Sequence, residues 1–251
     1  MATVIHTENL AVSFDHVTPV FEGVNVAVEK GEFVTLVGVS GAGKSTFLRV
    51  VADLVPAFRG SVTVDTPEDP TRRAIAMVFQ AANLMPWRRV KDNITLGLEG
   101  LEVSEEVKKE RVRWTLDLVG LGDYEDRWPY QLSGGQRQRI GIARGLAVDP
   151  DILLMDEPFG ALDAITRTAL QNELLRIWQE TGKSILFVTH DIEEAVFLGD
   201  RVLLLGGKPA HIVNEYRITI DRAERRESDA FLQDVARVRK GLENAIAATK
   251  A

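Results

Sequence analysis

Gly38-Val39-Ser40-Gly41-Ala42-Gly43-Lys44-Ser45 sets three glycines, a lysine and a hydroxyl side chain at the spacing that wraps a backbone around phosphate oxygens. Glycines let the chain come close, so that successive N–H groups and the positive end of the following helix point at the anion. Lys44 is placed to neutralise β- and γ-phosphate oxygens during reaction and Ser45 to bind Mg²⁺, with Thr46 counted in the same site. By composition the pattern has roughly a one per cent chance of arising in a chain this long, so a fortuitous glycine-rich turn is set aside. The run Ile152-Leu153-Leu154-Met155 ends in Asp156-Glu157, delivering two carboxylates to the end of a buried strand. Asp156 is expected in the Mg²⁺ shell and Glu157 as the group that polarises an attacking water. His190 and Gln80 also follow apolar runs, which places His190 for a γ-phosphate and the Gln80 amide oxygen for Mg²⁺ or the water. Leu132-Ser133-Gly134-Gly135-Gln136 has a chance frequency of roughly one chain of this length in several thousand. Ser133, followed by two glycines, opens a helix whose unpaired N–H groups and dipole favour an anion.

These residues need strands that end at a common edge. Phe33–Val37, Ala74–Phe79, Ile152–Met155, Ile185–Val188 and Val202–Leu205 are almost uninterruptedly apolar, as strands covered on both faces must be. They are expected in one parallel sheet between helices at Lys44–Val55, Ala164–Glu180 and Asp191–Leu198, an α/β core. Thr3–Phe14, Phe21–Val28 and Ser61–Asp65 alternate apolar and polar residues, predicting an N-terminal antiparallel β subdomain. Residues 84–145 interrupt the alternation with loops and a charged helix from Ser104 to Val119, predicting a helical subdomain. Residues 228–251 form an amphipathic helix with Phe231, Leu232, Val235, Val238 and Leu242 on one face and Ser228 as cap.

With 251 residues, 45% hydrophobic, the chain can bury one sizeable core. A net charge of −7 argues against general nucleic-acid binding, and the absence of cysteine excludes disulfides and thiolate zinc sites. The start lacks the basic and apolar segments of a secretory signal and no apolar run reaches membrane-spanning length, predicting a cytosolic location. Arg72-Arg73, Arg88-Arg89 and Arg225-Arg226 are expected on solvated faces.

In order and spacing, residues 3 to 215 resemble the nucleotide-binding subunit of ATP-binding cassette (ABC) transporters. Gly38–Ser45 resembles Walker A, Gln80 the Q-loop, Leu132–Gln136 the signature, Met155–Glu157 the end of Walker B, Ala161-Leu162-Asp163 the D-loop and His190 the switch histidine. The resemblance implies a P-loop NTPase fold occupying residues 1–251 as one domain, with ATP and Mg²⁺ as ligands. It also implies a homodimer or heterodimer in which Ser133, Gly134, Gly135 and Gln136 of one subunit close over nucleotide held by the other, with Asp163 beside it. An aromatic residue upstream of Walker A is implied to stack on adenine; Phe14 lies at about that distance, and Phe21 competes for the role. Arg137 and Arg139 are expected to brace the signature helix by ion pairs.

Phe79-Gln80, Leu84-Met85-Pro86-Trp87, the phrase Asp156–Asp163 and the short tail resemble importers of nitrate, sulfonates and taurine more than sugar or polyamine importers, which carry a longer C-terminal domain. The resemblance implies a subunit peripheral to the cytoplasmic side of the membrane, served indirectly by an extracytoplasmic binding protein. Its permease would dock a coupling helix at about Gln80–Asn93. Leu84–Trp87 suit such a groove if exposed, and otherwise fill the arm's own core. A soluble cassette ATPase of iron–sulfur assembly or another non-transport process is the alternative.

Overall fold

The computed structural model describes residues 2–222 and 224–250. Met1 and Ala251, the ends of the expected domain and of the expected last helix, lie outside them. The strands are β1 (Thr3–Ser13), β2 (Pro19–Glu29), β3 (Phe33–Gly38), β4 (Arg59–Val64), β5 (Ile75–Val78), β6 (Ile152–Asp156), β7 (Ser184–Thr189), β8 (Arg201–Gly207) and β9 (Ala210–Arg217). The helices are α1 (Lys44–Val51), α2 (Val90–Thr95), α3 (Glu105–Leu118), α4 (Gly134–Ala147), α5 (Ala164–Thr181), α6 (Ile192–Leu198) and α7 (Asp229–Lys250). Internal contacts divide the chain into two units, Met1–Asp65 with Ser184–Ala251, and Thr66–Lys183. None of the described helices is long and apolar enough to cross a membrane.

In the first unit the strand order is β4-β1-β2-β9-β8-β3-β7. β3 lies between β7 and β8, parallel to both, with Val37 opposite Thr189 on one side and Leu204 on the other. Every residue of β3 and β7 is buried, the physical reason for their unbroken apolar runs. β1 pairs antiparallel with β2 and with β4, and its buried and exposed residues give the expected amphipathic sheet. In the second unit β5 and β6 run parallel, Val78 opposite Met155, and α2, α3 and α4 precede β6. The fold is α/β, as the sequence predicts.

Several boundaries and one strand differ from expectation. α1 stops at Val51, not Val55, because Asp53 takes a left-handed φ of 56° and Pro56 restricts the residue before it. β9, absent from the sequence reading, pairs antiparallel with β8; its pattern is weak because only Ala210 and Tyr216 are buried. α2 is also an addition, too short for its periodicity to show. On α7, Phe231, Val235 and Val238 are buried, but Leu232 is 65% exposed and leaves the apolar face. One residue amounts to about 100° around a helix, so Phe231 and Leu232 do not share a stripe.

The basic pairs also divide. Arg225 is 1% exposed, contrary to the solvated-face expectation. Its guanidinium donates to the carbonyls of Val196, Phe197 and Gly199 at the end of α6 and to that of Ile220. A fixed fork of N–H groups suits the unpaired carbonyls of a helix C-terminus, and burial lowers the side-chain pKa to about 10, leaving it charged at neutral pH. Arg72 is half-buried against Asp151 at 3.0 Å, whereas Arg226 is exposed and lies over the Phe197 ring at 3.9 Å.

Candidate functional site

In the first unit, β3 and β7 leave the sheet side by side, because Val37 pairs with Thr189. Gly38 and His190, the next residues of each strand, therefore emerge at one edge, where ligands of parallel sheets bind. Gly38 must be glycine: a Cβ there would run into the Leu205 carbonyl. Gly41 and Gly43 adopt φ of 82° and 92°, and a Cβ on Gly43 would lie 2.8 Å from Val20 and 3.0 Å from Phe21. The loop is thus seated on the start of β2. Val39 and Ser40 are exposed, Ala42 is buried, and Ser45 and Thr46 lie half-buried in the first turn of α1. Lys44 is buried, and its Nζ donates to the carbonyls of Gly38 at 3.0 Å and Val39 at 3.2 Å, which curls it back over the loop.

His190 is exposed in the β7–α6 turn. The turn is held on its far side, where the Asp191 N–H donates to Thr189 Oγ1 and Asp191 Oδ1 caps α6 by accepting the Glu194 N–H. Phe14, just beyond β1, is 68% exposed, whereas Phe21 is fully buried and meets the Phe47 ring edge-on. Phe21 therefore presents no exposed face, whereas Phe14 does.

In the second unit, the Val78–Met155 pairing brings Gln80 and Asp156-Glu157 out at the same end of β5 and β6. Asp156 is buried and Glu157 half-buried with a φ of 44°, a left-handed conformation costly for a residue with a side chain. Gly160 separates the two amide and carboxylate groups: a Cβ on it would lie 3.2 Å from Gln80 Nε2 and 3.8 Å from Glu157 Oε2. Asp163 caps α5, its Oδ1 accepting the Thr166 N–H at 3.0 Å, and that bond is the main cause of its lowered pKa. The Ser45 hydroxyl of the first unit, and the Gln80 amide oxygen and Asp156 carboxylate of the second, are each oxygen donors of the kind the hard cation Mg²⁺ takes.

Ser133 caps α4 through a reciprocal pair: its Oγ accepts the Gln136 N–H at 3.2 Å and its own N–H donates to Gln136 Oε1 at 2.9 Å. This fixes the helix start while Ser133 and Gly134 stay exposed. Gly135 is buried, and a Cβ would come within 2.6 Å of Thr166. The Gln136 Nε2 donates to the Tyr124 hydroxyl. α4 then holds the segment after Gln80 along its length: Gln138 donates to the Phe79 carbonyl, and Arg144 to those of Ala82 and Asn83. Gly141 and Gly145 let it approach Ala82 and Val78 closely. None of these supports shows in the sequence, where a mid-helix glutamine looks like a solvated one. Arg139 braces α4 through the Val119 carbonyl, not the expected ion pair, and Arg137 is exposed.

The segment expected to receive a partner helix is mixed. Trp87 is 71% exposed and Pro86 is exposed, while Leu84 and Met85 are half-buried. Asn93 is fully buried and unsuited to docking; its side chain accepts from Met85 N–H and donates to the carbonyls of Met85, Arg88 and Arg89, stapling the loop. A cavity of about 550 Å³ in this unit is lined by Gln80, Leu84, Pro86, Tyr130, Gly134 and Leu162 among others.

The family model described as ABC transporter matches residues 21–160. The taurine import ATP-binding protein TauB of Escherichia coli O157:H7 is 45% identical over 206 residues, 81% of this chain and 80% of that protein. The aliphatic sulfonates import ATP-binding protein SsuB 2 of Paracoccus denitrificans is 46% identical over 223 residues, 89% of this chain and 84% of that protein. Among solved structures, a dimeric ATP-binding cassette bound to ADP and Pi superposes with a TM-score of 0.72 at 31% identity, covering 86% of this chain and 100% of that one.

Proposed function

The chain belongs to the ABC transporter family as one of its ATPases, and from that premise we propose that it energises uptake of a taurine-like sulfonate or related small anion through a membrane permease. The observation that carries the reading is the pair of glycine-rich helix starts, Gly38–Ser45 before α1 and Ser133–Gln136 at α4, joined to a strained acidic strand end at Glu157. The relatives named above, both import proteins, do not favour the iron–sulfur alternative.

In this reading, residues 1–251 are a single ATPase domain, with residues 84–145 its helical arm and residues 228–251 its closing helix. Backbone N–H groups from Gly38 to Ser45 bind the phosphates, and Lys44 moves its charge from loop carbonyls to the β- and γ-oxygens. Ser45, Gln80 and Asp156 would hold Mg²⁺, which when bound would supply charge neutralisation for phosphoryl transfer. Glu157 accepts the proton of the attacking water and His190 donates to the γ-phosphate. Ser133 and Gly135 act on nucleotide held by a partner subunit, a reading supported by the exposed, pre-capped start of α4 and by the dimeric state of the related cassette. Asp163 orders the start of α5 beside them. The permease docks near Pro86 and Trp87, placing the subunit at the cytoplasmic face of the membrane, and the transported compound is selected by the permease and its external binding protein.

Glu157→Gln keeps the size and polarity of the side chain and removes its basicity. ATP hydrolysis is expected to fall by about 10²–10³-fold with ATP binding retained. A retained hydrolysis rate sinks the assignment of the base.

A further inference from the structure

We propose that Asp15 is a positioning residue for adenine recognition, a latch that holds the β1–β2 loop so that Phe14 presents a preformed face to the base. This rests on the stacking role given to Phe14 above. An aromatic side chain that is 68% exposed on a loop gains little from stacking if the loop must first be ordered, because that ordering entropy is subtracted from the binding free energy. Hydrogen bonds within the chain already tie this loop down. Asp15 Oδ1 accepts three hydrogen bonds: from the Ser13 hydroxyl at 2.8 Å, the Val17 N–H at 2.9 Å and the Thr18 N–H at 2.7 Å. Ser13 ends β1 and Thr18 precedes β2, so one carboxylate oxygen ties both stems of the loop together with Phe14 between them.

Two further contacts give the latch direction. His16, at a left-handed φ of 59°, sets its ring 6.0 Å from that of Phe58, which anchors the far side of the loop. Directly after Thr18, β2 brings Val20 and Phe21 beneath Gly43, so the strand on which the phosphate loop sits is the one that Asp15 ties to Phe14. The aromatic face and the phosphate cradle are thereby held in a common frame. The backbone bonds from Thr18 and Val17, with the Ser13 hydroxyl, hold the Asp15 carboxyl well below the usual carboxylate range, so the latch is ionised throughout the neutral range.

The test compares equilibrium binding of ATP and of inorganic tripolyphosphate, which has no base, by the purified chain and its Asp15→Ala, Asp15→Asn, Phe14→Ala and Phe14→Ala/Asp15→Ala variants. Phe14→Ala is expected to weaken ATP binding by about tenfold. Asp15→Ala is expected to weaken it by about fivefold with tripolyphosphate binding unchanged. Asp15→Asn, which keeps an Oδ1 acceptor, restores most of the loss, and Asp15→Ala has little added effect once Phe14 is gone. If Phe14→Ala weakens ATP binding but Asp15→Ala does not, the latch is refuted and the stacking role stands. Equal losses for ATP and tripolyphosphate, or full additivity in the double variant, refute the latch as well. Wild-type ATP affinity in Phe14→Ala removes the stacking role, and the latch with it.

Discussion

The phosphate loop and the signature segment use the same parts, glycines ahead of a helix, in opposite surroundings. Gly38 and Gly43 are glycine because β8 and β2 press against them, and Lys44 lies buried over the loop. At the signature Gly135 is packed that way, but Ser133 and Gly134 face outward, and the helix start is held by the reciprocal Ser133–Gln136 bonds and by the Gln136 bond to Tyr124. One start is enclosed by its own scaffold and the other is rigid but open. An enclosed cradle suits a ligand that its own chain holds, and a rigid open end suits a ligand brought by another chain.

Breaking the enclosed cradle has the largest expected effect. Gly43→Val forces a β-branched side chain into φ 92° and against Val20 and Phe21, so ATP binding and hydrolysis are both expected to disappear in nucleotide-binding and phosphate-release assays. Ser133→Arg sharpens the contrast: hydrolysis is expected to fall to background while the isolated chain binds ATP within about twofold of wild type. Parallel loss of both in that variant would erase the distinction between the two helix starts. The smallest effect concerns stability. Arg225→Met removes the donors from carbonyls at the end of α6, the helix that follows His190, and is expected to destabilise the chain by about 3 kcal/mol in urea unfolding, with the residual folded protein still binding ATP. Unchanged stability would mean that those carbonyls have other partners.

The legibility of each region follows from how local its cause is. The buried strands beneath the phosphate loop are written as apolar runs because burial on both faces acts on every residue. Glycine and hydroxyl motifs are similarly local: the turn conformation or cap they serve lies within a few residues. β9 escaped because few of its residues are buried, and Leu232 was misplaced because a contiguous pair of apolar residues on α7 does not reveal which of the two faces inward. Arg225 looked like half of a solvated basic pair, and only the positions of Val196, Phe197 and Gly199, more than 25 residues away, make it a buried cap.

By itself, the sequence determined the α/β class, the order of the strands' chemistry-bearing ends and the place of the glycine-rich turn between β3 and α1, because each depends on periodicity or on spacing within a short segment. Tertiary structure decided that Phe21 is buried and Phe14 exposed, that Gly160 lies between Gln80 and Glu157, and that α4 holds the backbone after Phe79. Those outcomes depend on which distant segments are brought together in packing, and no local pattern of residue types records them.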